Sequence, residues 1–282
     1  MQSVLSQTHP DFVLYVIDNI SSDNTLGLLK QYNDPRIVII PNTKNVGVAA
    51  GNNQGILKSL EDGCDLILLL NNDVEFENSL FEKLVKVLDE QQCSLSAPKM
   101  MYYPETHLIW WAGTKFKRIN GCMTSHIGIQ QQDHGQFDQI EQMDYAPTCC
   151  VLLKKEVIDD IGLMDEKYFA YYDDTDFFYR IYEQGKHKLF YYPFVKFYHK
   201  VGGLSKMKEG GAKKFKFNDF YILLNTRNHV YYLRKQHRFW SRVNIAYFFV
   251  RMNLRFLFSG KYHLNWHTFS LLNRSFFQGM KL

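Results

Sequence analysis

Short apolar runs alternating with helix-like segments constrain this chain most. Phe12 to Ile17, Arg36 to Ile40 and Leu66 to Leu70 each read as a buried strand. Between and after them, Asp23 to Tyr32, Val48 to Leu60 and Ser79 to Glu90 carry helical spacing. In the last segment Leu80, Leu84, Val87 and Leu88 fall on one face. Strand–helix alternation predicts an α/β domain around a mostly parallel sheet, and uninterrupted apolar strands fit a sheet covered on both faces. Ser94 to Ala97 is a candidate fourth strand, and Val151 to Leu153 leads into a helix beginning near Lys154. Residues 100 to 145 are less regular, and Gln130 to Gln142 reads as a loop or insertion. A further helix is expected from Asp173 or Asp174 to Gln184. Leu189 to Phe197 reads as an edge strand interrupted by Pro193, because proline cannot donate to a ladder. Beyond a Gly- and Lys-rich stretch at Val201 to Lys216, helices are expected over Asn218 to Lys235 and Ser241 to Phe258.

The charge pattern divides the chain. Residues 1–199 hold 17 Lys/Arg against 27 Asp/Glu, while residues 200–282 hold 16 against 2, with no acid after Asp219. An acidic body suits a metal or sugar site, and a basic, aromatic tail suits an anionic surface. This places a catalytic domain at 1–217 and a helical extension at 218–282. With 46% hydrophobic and 16% aromatic residues, the chain can bury a sizeable core, which excludes wholesale disorder. Five cysteines with no C-x-x-C pair read as reduced thiols in a cytosolic-type compartment. The first ten residues lack a signal-peptide pattern, and no apolar run reaches the length of a spanning helix.

Polar clusters follow the strand runs, which is where open α/β sheets bind ligands. Asp18 and Asn19 follow the first. Asp18 suits a base N–H or ribose hydroxyl, although Asp18 to Thr25 also has the composition of a plain turn and cap. Asn45 and Gly47 open a helix rich in small residues, suited to close approach by a ligand or by a strand. Asn71, Asn72 and Asp73 end the third strand, where a carboxylate can hold a hard divalent cation. Asp173, Asp174 and Asp176 crowd three carboxylates into four residues beside Tyr171, Tyr172, Phe177 and Phe178. Such crowding raises a carboxyl pKa and suits a general base, whereas an acidic helix start is the plainer explanation. His199 follows the last strand-like run.

The ordered series Ser3-Val4-Leu5-Ser6-Gln7-Thr8, Asp18-Asn19, Asn45-x-Gly47, Leu70-Asn71-Asn72-Asp73, Gly162-Leu163-Met164-Asp165-Glu166 and Tyr172-Asp173-Asp174-x-Asp176 resembles family 2 glycosyltransferases of the GT-A fold. The nearest branch looks like the rhamnosyltransferase and galactofuranosyltransferase-like bacterial enzymes, and the likeness runs to about Gln236. It implies a Rossmann-like nucleotide-diphospho-sugar transferase fold with a C-terminal helical extension. It implies inverting transfer from dTDP-rhamnose, a UDP-hexose or UDP-galactofuranose to a glycan or lipid-linked acceptor in bacterial surface polysaccharide synthesis. By the same resemblance Asp174 is the general base, and Asp173 supports it or holds the acceptor. Asp18, Asn19, Asn45, Gly47, Asn71 and Asn72 contact the nucleotide, and Asp73 with His199 holds Mn²⁺ or Mg²⁺. Asn71 stands where many relatives have Asp, which weakens the metal site. Arg227-Asn228 resembles a family pair with no role legible in the sequence. Lys206, Lys208, Lys213, Lys214 and Lys216 are diphosphate-closing or simply solvated cations. The family begins with a strand that this chain lacks, so a truncated start is expected, with two sheet edges left open. The expected location is cytoplasmic, with the tail either attached to the inner face of an anionic membrane or packed by its aromatics onto the catalytic domain with its basic residues outward. An inactive sugar-nucleotide-binding relative and a nucleic-acid-binding tail are the competing readings.

Overall fold

The computed structural model describes residues 1–200, 219–258 and 266–282. The alternation appears as expected at its start. α1 (Gln2–Leu5) precedes β1 (Leu14–Asp18), α2 (Thr25–Leu29), β2 (Ile37–Pro41), α3 (Gly47–Glu61) and β3 (Leu66–Leu70). β4 (Val74–Phe76), α4 (Leu80–Glu90), β5 (Leu95–Pro98), β6 (Met100–Tyr102) and β7 (Ile109–Trp111) follow. α2 is shorter than its sequence pattern, because Asp23 uses its carboxylate to accept from the Thr25 N–H at 3.0 Å and so forms a turn first. α4 buries the four positions read from its period, Leu80, Leu84, Val87 and Leu88, at roughly 6–12 kcal/mol of apolar burial.

The second half adds β8 (Glu141–Met143), β9 (Cys150–Lys154), α5 (Lys155–Ile161), α6 (Asp173–Gln184), β10 (Leu189–Tyr192) and β11 (Phe197–His199). After the tail boundary come α7 (Asp219–Lys235), α8 (Phe239–Phe258) and α9 (Trp266–Lys281). The central sheet has the order β3-β9-β5-β10-β8. It is mixed rather than mostly parallel: β9 runs antiparallel to β3 and β5, β8 antiparallel to β10, and only β5 and β10 run parallel. The reason is topological, since β9 arrives from the irregular 100–145 region rather than through a right-handed crossover helix. β1 and β2 form a separate parallel pair, and β4-β11-β6-β7 forms a third sheet. Among the described residues β1 pairs only with β2 and β3 only with β9.

The expected edge strand over Leu189 to Phe197 is instead two strands. β10 lies between β5 and β8, and β11 lies between β4 and β6. Pro193 occupies the passage between the two sheets, where no ladder donor is required.

The extension is not a detached unit. Tyr231, Tyr232 and Leu233 of α7 belong to the same buried cluster as Trp111, Phe177, Phe178 and Phe197. Ile222 and Val230 of α7 join Met252 and Phe256 of α8 and Leu272 and Phe276 of α9 in a second cluster. α9 lies so close to α7 that a Cβ on Gly279 would meet the Arg227 carbonyl oxygen at 2.3 Å. None of these helices, nor any other among the described residues, is long and apolar enough to cross a membrane.

Candidate active site

The chain between α5 and α6 makes an unusual bend. Phe169, Tyr171 and Tyr172 all have positive φ, at 64°, 66° and 69°, which non-glycine residues rarely adopt. Three devices hold this bend. Asn228 on α7 is fully buried, and its amide donates to the carbonyls of Tyr168, Ala170 and Tyr171 at 2.8–2.9 Å. Arg227 donates to the carbonyls of Lys167 and Tyr168 and, through Nε, to the Asn228 amide oxygen. Gly47, at φ 86°, lets the α3 start lie on the Phe169 backbone, where a Cβ would come within 2.5 Å of the Phe169 oxygen. The Arg227-Asn228 pair therefore acquires a role that its sequence context did not disclose. It shapes the turn that presents Asp173 and Asp174.

Those two carboxylates open α6 and line a cleft of about 520 Å³. Asn71, Val48, Tyr145, Thr148, Tyr172 and Asn225 lie on the same cleft. Asp173 is buried, and desolvation together with the Asp174 charge pushes its carboxyl well above the ordinary carboxylate range. Asp174 is raised as well, by desolvation, although it accepts from the Tyr145 hydroxyl at 2.7 Å and from the Thr175 N–H at 2.6 Å. Burial and the adjacent carboxylate push the Tyr145 phenol far up, so it remains a protonated donor. Asp176, the third acid of the cluster, has a different task. It is buried and bonded to the Tyr168 hydroxyl, Arg180 and Lys235, which ties α6 to α7.

Asp73 and His199 come together from β4's approach and the end of β11, with Asp73 Oδ1 and His199 Nε2 3.3 Å apart. The His199 Nδ1 is buried and has no hydrogen-bond partner among the described residues. A carboxylate oxygen beside an imidazole suits Mn²⁺ or Mg²⁺ when a diphosphate supplies further oxygens. Two donors do not make a closed site, and no group of three or more His, Cys, Asp or Glu that could hold a metal occurs among the described residues. An aromatic path joins this pair to the cleft. Trp110 packs edge-on against both His199 and His126, and His126 stacks on Tyr145. Burial lowers the His126 pKa, which favours its neutral form.

The remaining sequence candidates lie around the α3 start. Asp18 is buried and receives the Ser21 N–H and hydroxyl, so its carboxylate organises its own loop. Asn19 donates to the Gly47 carbonyl at 3.1 Å and accepts from Asn42, while Asn45 accepts from the Gly47 N–H. Ile17 packs against Gly51, so the small residues of α3 also serve close helix–strand contact. Asn72 is exposed, and neither it nor Asp18 is among the residues lining the cleft. The motif around Met164 is a clasp: Asn53 of α3 exchanges two hydrogen bonds with the Met164 backbone. The lysines at 206–216 lie outside the described residues. Sequence reasoning missed Tyr145, His126, Trp110 and Asn225. All but Asn225 sit in the region of weak periodicity. Asn225 Nδ2 is buried at the cleft with no hydrogen-bond partner among the described residues.

The chain resembles proteins of known activity over much of its length. It is 27% identical over 167 residues to a low-salt glycan biosynthesis hexosyltransferase of Haloferax volcanii, covering 58% of this chain and 52% of that one. It is 25% identical over 169 residues to the dTDP-rhamnosyl transferase RfbF of Shigella flexneri, covering 57% of this chain and 51% of that one. The chain thus spans about half the length of these relatives. Among solved structures, residues 1–349 of S. aureus TarS in complex with UDP-GlcNAc align with a TM-score of 0.60 at 14% identity, over 99% of this chain and 76% of that one. That likeness establishes the GT-A fold. Residues 1–162 match the model of glycosyl transferase family 2, and the chain belongs to that family.

Proposed function

We propose that the chain transfers a sugar from a nucleoside-diphosphate donor to a glycan or lipid-linked acceptor, with inversion at the anomeric carbon. The observation that carries this reading is the pair of raised carboxylates, Asp173 and Asp174, on the wall of the cleft. A general base works best when its pKa approaches the operating pH, and both burial and mutual repulsion move this pair that way. Asp174 is partly open to the cleft and removes the proton of the acceptor hydroxyl. That oxygen then bonds to the anomeric carbon while the nucleoside diphosphate leaves with its bonding electrons. Asp173 supports this base or holds the acceptor. Asn71 faces the same cleft, and Asn225 brings a donor, unpaired among the described residues, for a sugar oxygen.

Asp18, Asn19, Asn45, Gly47, Asn71 and Asn72 are assigned to the nucleotide, and Asp73 with His199 to a divalent cation. A bound Mn²⁺ or Mg²⁺ would supply Lewis-acid stabilisation of the leaving diphosphate. The relatives' names, a glycan biosynthesis hexosyltransferase and a dTDP-rhamnosyl transferase, support glycan synthesis with hexosyl or rhamnosyl donors, so dTDP-rhamnose and UDP-hexoses are the first donors to try. The basic tail supports an anionic membrane surface as the place of action, on the cytoplasmic side where nucleotide sugars are made.

Calorimetric titration with UDP and dTDP, each with and without Mn²⁺, tests the reading, with Asp73→Ala as the control. The expected result is nucleotide binding strengthened by Mn²⁺ and no such strengthening in the variant. A folded chain that binds neither nucleotide refutes the proposal. Binding without transfer by any donor assigns the chain instead to sugar-nucleotide binding.

A further inference from the structure

α8 carries an apolar face that no described residue covers. Its inner side is accounted for: Ser241, Met252 and Phe256 are buried, and Ile245, Phe248 and Phe249 pack on the second cluster. On the other side Phe239 is 72% exposed, Tyr247 58%, Val250 54% and Leu254 50%, with Trp240 and Val243 above 39%. The spacing 243, 247, 250 and 254 repeats every three or four residues, so these side chains form one stripe, about 100° wide with residues 239 and 240 included. Single exposed apolar residues are ordinary, but a continuous stripe of six on one helix is not.

The charges beside the stripe select its occupant. Arg242 flanks one side and Arg251 the other, both exposed, and Arg251 lies 5.8 Å over the Tyr247 ring. No Asp or Glu occurs in α8 or α9. A second copy docking through the same stripe would bring arginine rows together with no acid to pair them. An anionic lipid surface meets both halves of the pattern, taking the apolar stripe below the headgroups and the arginines among them.

We propose that α8 lies in the plane of an anionic membrane, with the Val243–Tyr247–Val250–Leu254 stripe inserted. This rests on the reading of the tail as membrane-facing and names the surface that does it. It also orients the site, because α7, packed against α8, carries Asn225, Arg227 and Asn228 into the cleft region.

The test is flotation of the full chain with vesicles of phosphatidylcholine alone or of equimolar phosphatidylcholine and phosphatidylglycerol. The chain should float with the anionic vesicles, less so at high salt. Tyr247→Ser with Leu254→Ser should reduce partitioning by about tenfold or more, since apolar area drives insertion. Arg242→Gln with Arg251→Gln should remove the preference for anionic vesicles. Circular dichroism and nucleotide titration on the same variants separate a folding defect, and a failure of the transferase reading, from loss of the membrane surface. Equal flotation of the wild type and the double-serine variant overturns the proposal, as does a folded wild type that never floats. A dimer seen by sedimentation and lost in the double-serine variant also overturns it, by assigning the stripe to a second copy.

Discussion

Tyr145→Phe removes one atom from the site and tests the assignment of Asp174 directly. The Tyr145 hydroxyl donates to Asp174 Oδ2 at 2.7 Å in a buried setting. A hydrogen bond to a charged group contributes about 1.5–3 kcal/mol. The phenol stabilises the ionised carboxylate, so its loss should raise the Asp174 pKa further and shrink the fraction of active base at neutral pH. At about 1.4 kcal/mol per tenfold, kcat/KM should fall by roughly 10- to 100-fold at neutral pH. The acid limb of the pH–rate profile should move to higher pH, and part of the activity should return on the alkaline side. Release of nucleoside diphosphate, followed across pH with a competent donor and acceptor, reads both effects. Tyr191→Phe is the internal control, because Tyr191 is also buried but its hydroxyl has no partner among the described residues. It should leave the profile unchanged and stability at or above wild type. If Tyr145→Phe loses activity by the same factor at every pH, the hydroxyl does not act through the Asp174 charge and the reasoning fails.

Further predictions concern the same architecture. Asp173→Asn should raise the melting temperature at pH 8 more than at pH 5, while lowering activity. The sign follows from the raised carboxyl: its contribution to stability is present at acid pH and is lost as pH rises through the folded-state value, so removing the charge helps most above it. A melting temperature with the same pH dependence in wild type and variant would count against the burial of this charge. Asn228→Asp keeps the shape but loses the amide donor, leaving three carbonyls without it. Denaturant unfolding should show a loss of about 2–4 kcal/mol, with transfer lost even in the folded fraction. Gly47→Ala forces a positive φ on alanine and a Cβ into the Phe169 backbone, and should cost about 1–3 kcal/mol. Wild-type unfolding and nucleotide affinity in that variant would refute the close contact.

Much of the candidate site was legible because its acids stand at element ends. Asp73 at the end of β3's run and Asp173 with Asp174 at the start of α6 are placed by local pattern alone, and their neighbours in sequence announce burial. Asp176 misled by proximity: three acids in four residues look like one cluster. In the helix their side chains point in different directions, and Asp176 turns to Arg180 and Lys235 instead of the cleft. Tyr145 and Asn225 were illegible. Each matters through a partner or a cleft distant in the chain, Tyr145 being 29 residues from Asp174.

The sequence by itself determined the alternation of the longer strands and helices in the first hundred residues, though not the short β4, together with the apolar face of α4, the carboxylates at strand and helix ends, and the family. These are local or periodic properties, carried by the 2.0 and 3.6 residue repeats and by cap chemistry. Tertiary structure alone decided strand direction in the mixed sheet and the division at Pro193 into two interior strands. It also decided the clamp of Arg227 and Asn228 on a strained turn, and which face of α8 no described residue covers. Those depend on which segments meet across long stretches of chain, and no repeat within a segment encodes its partner.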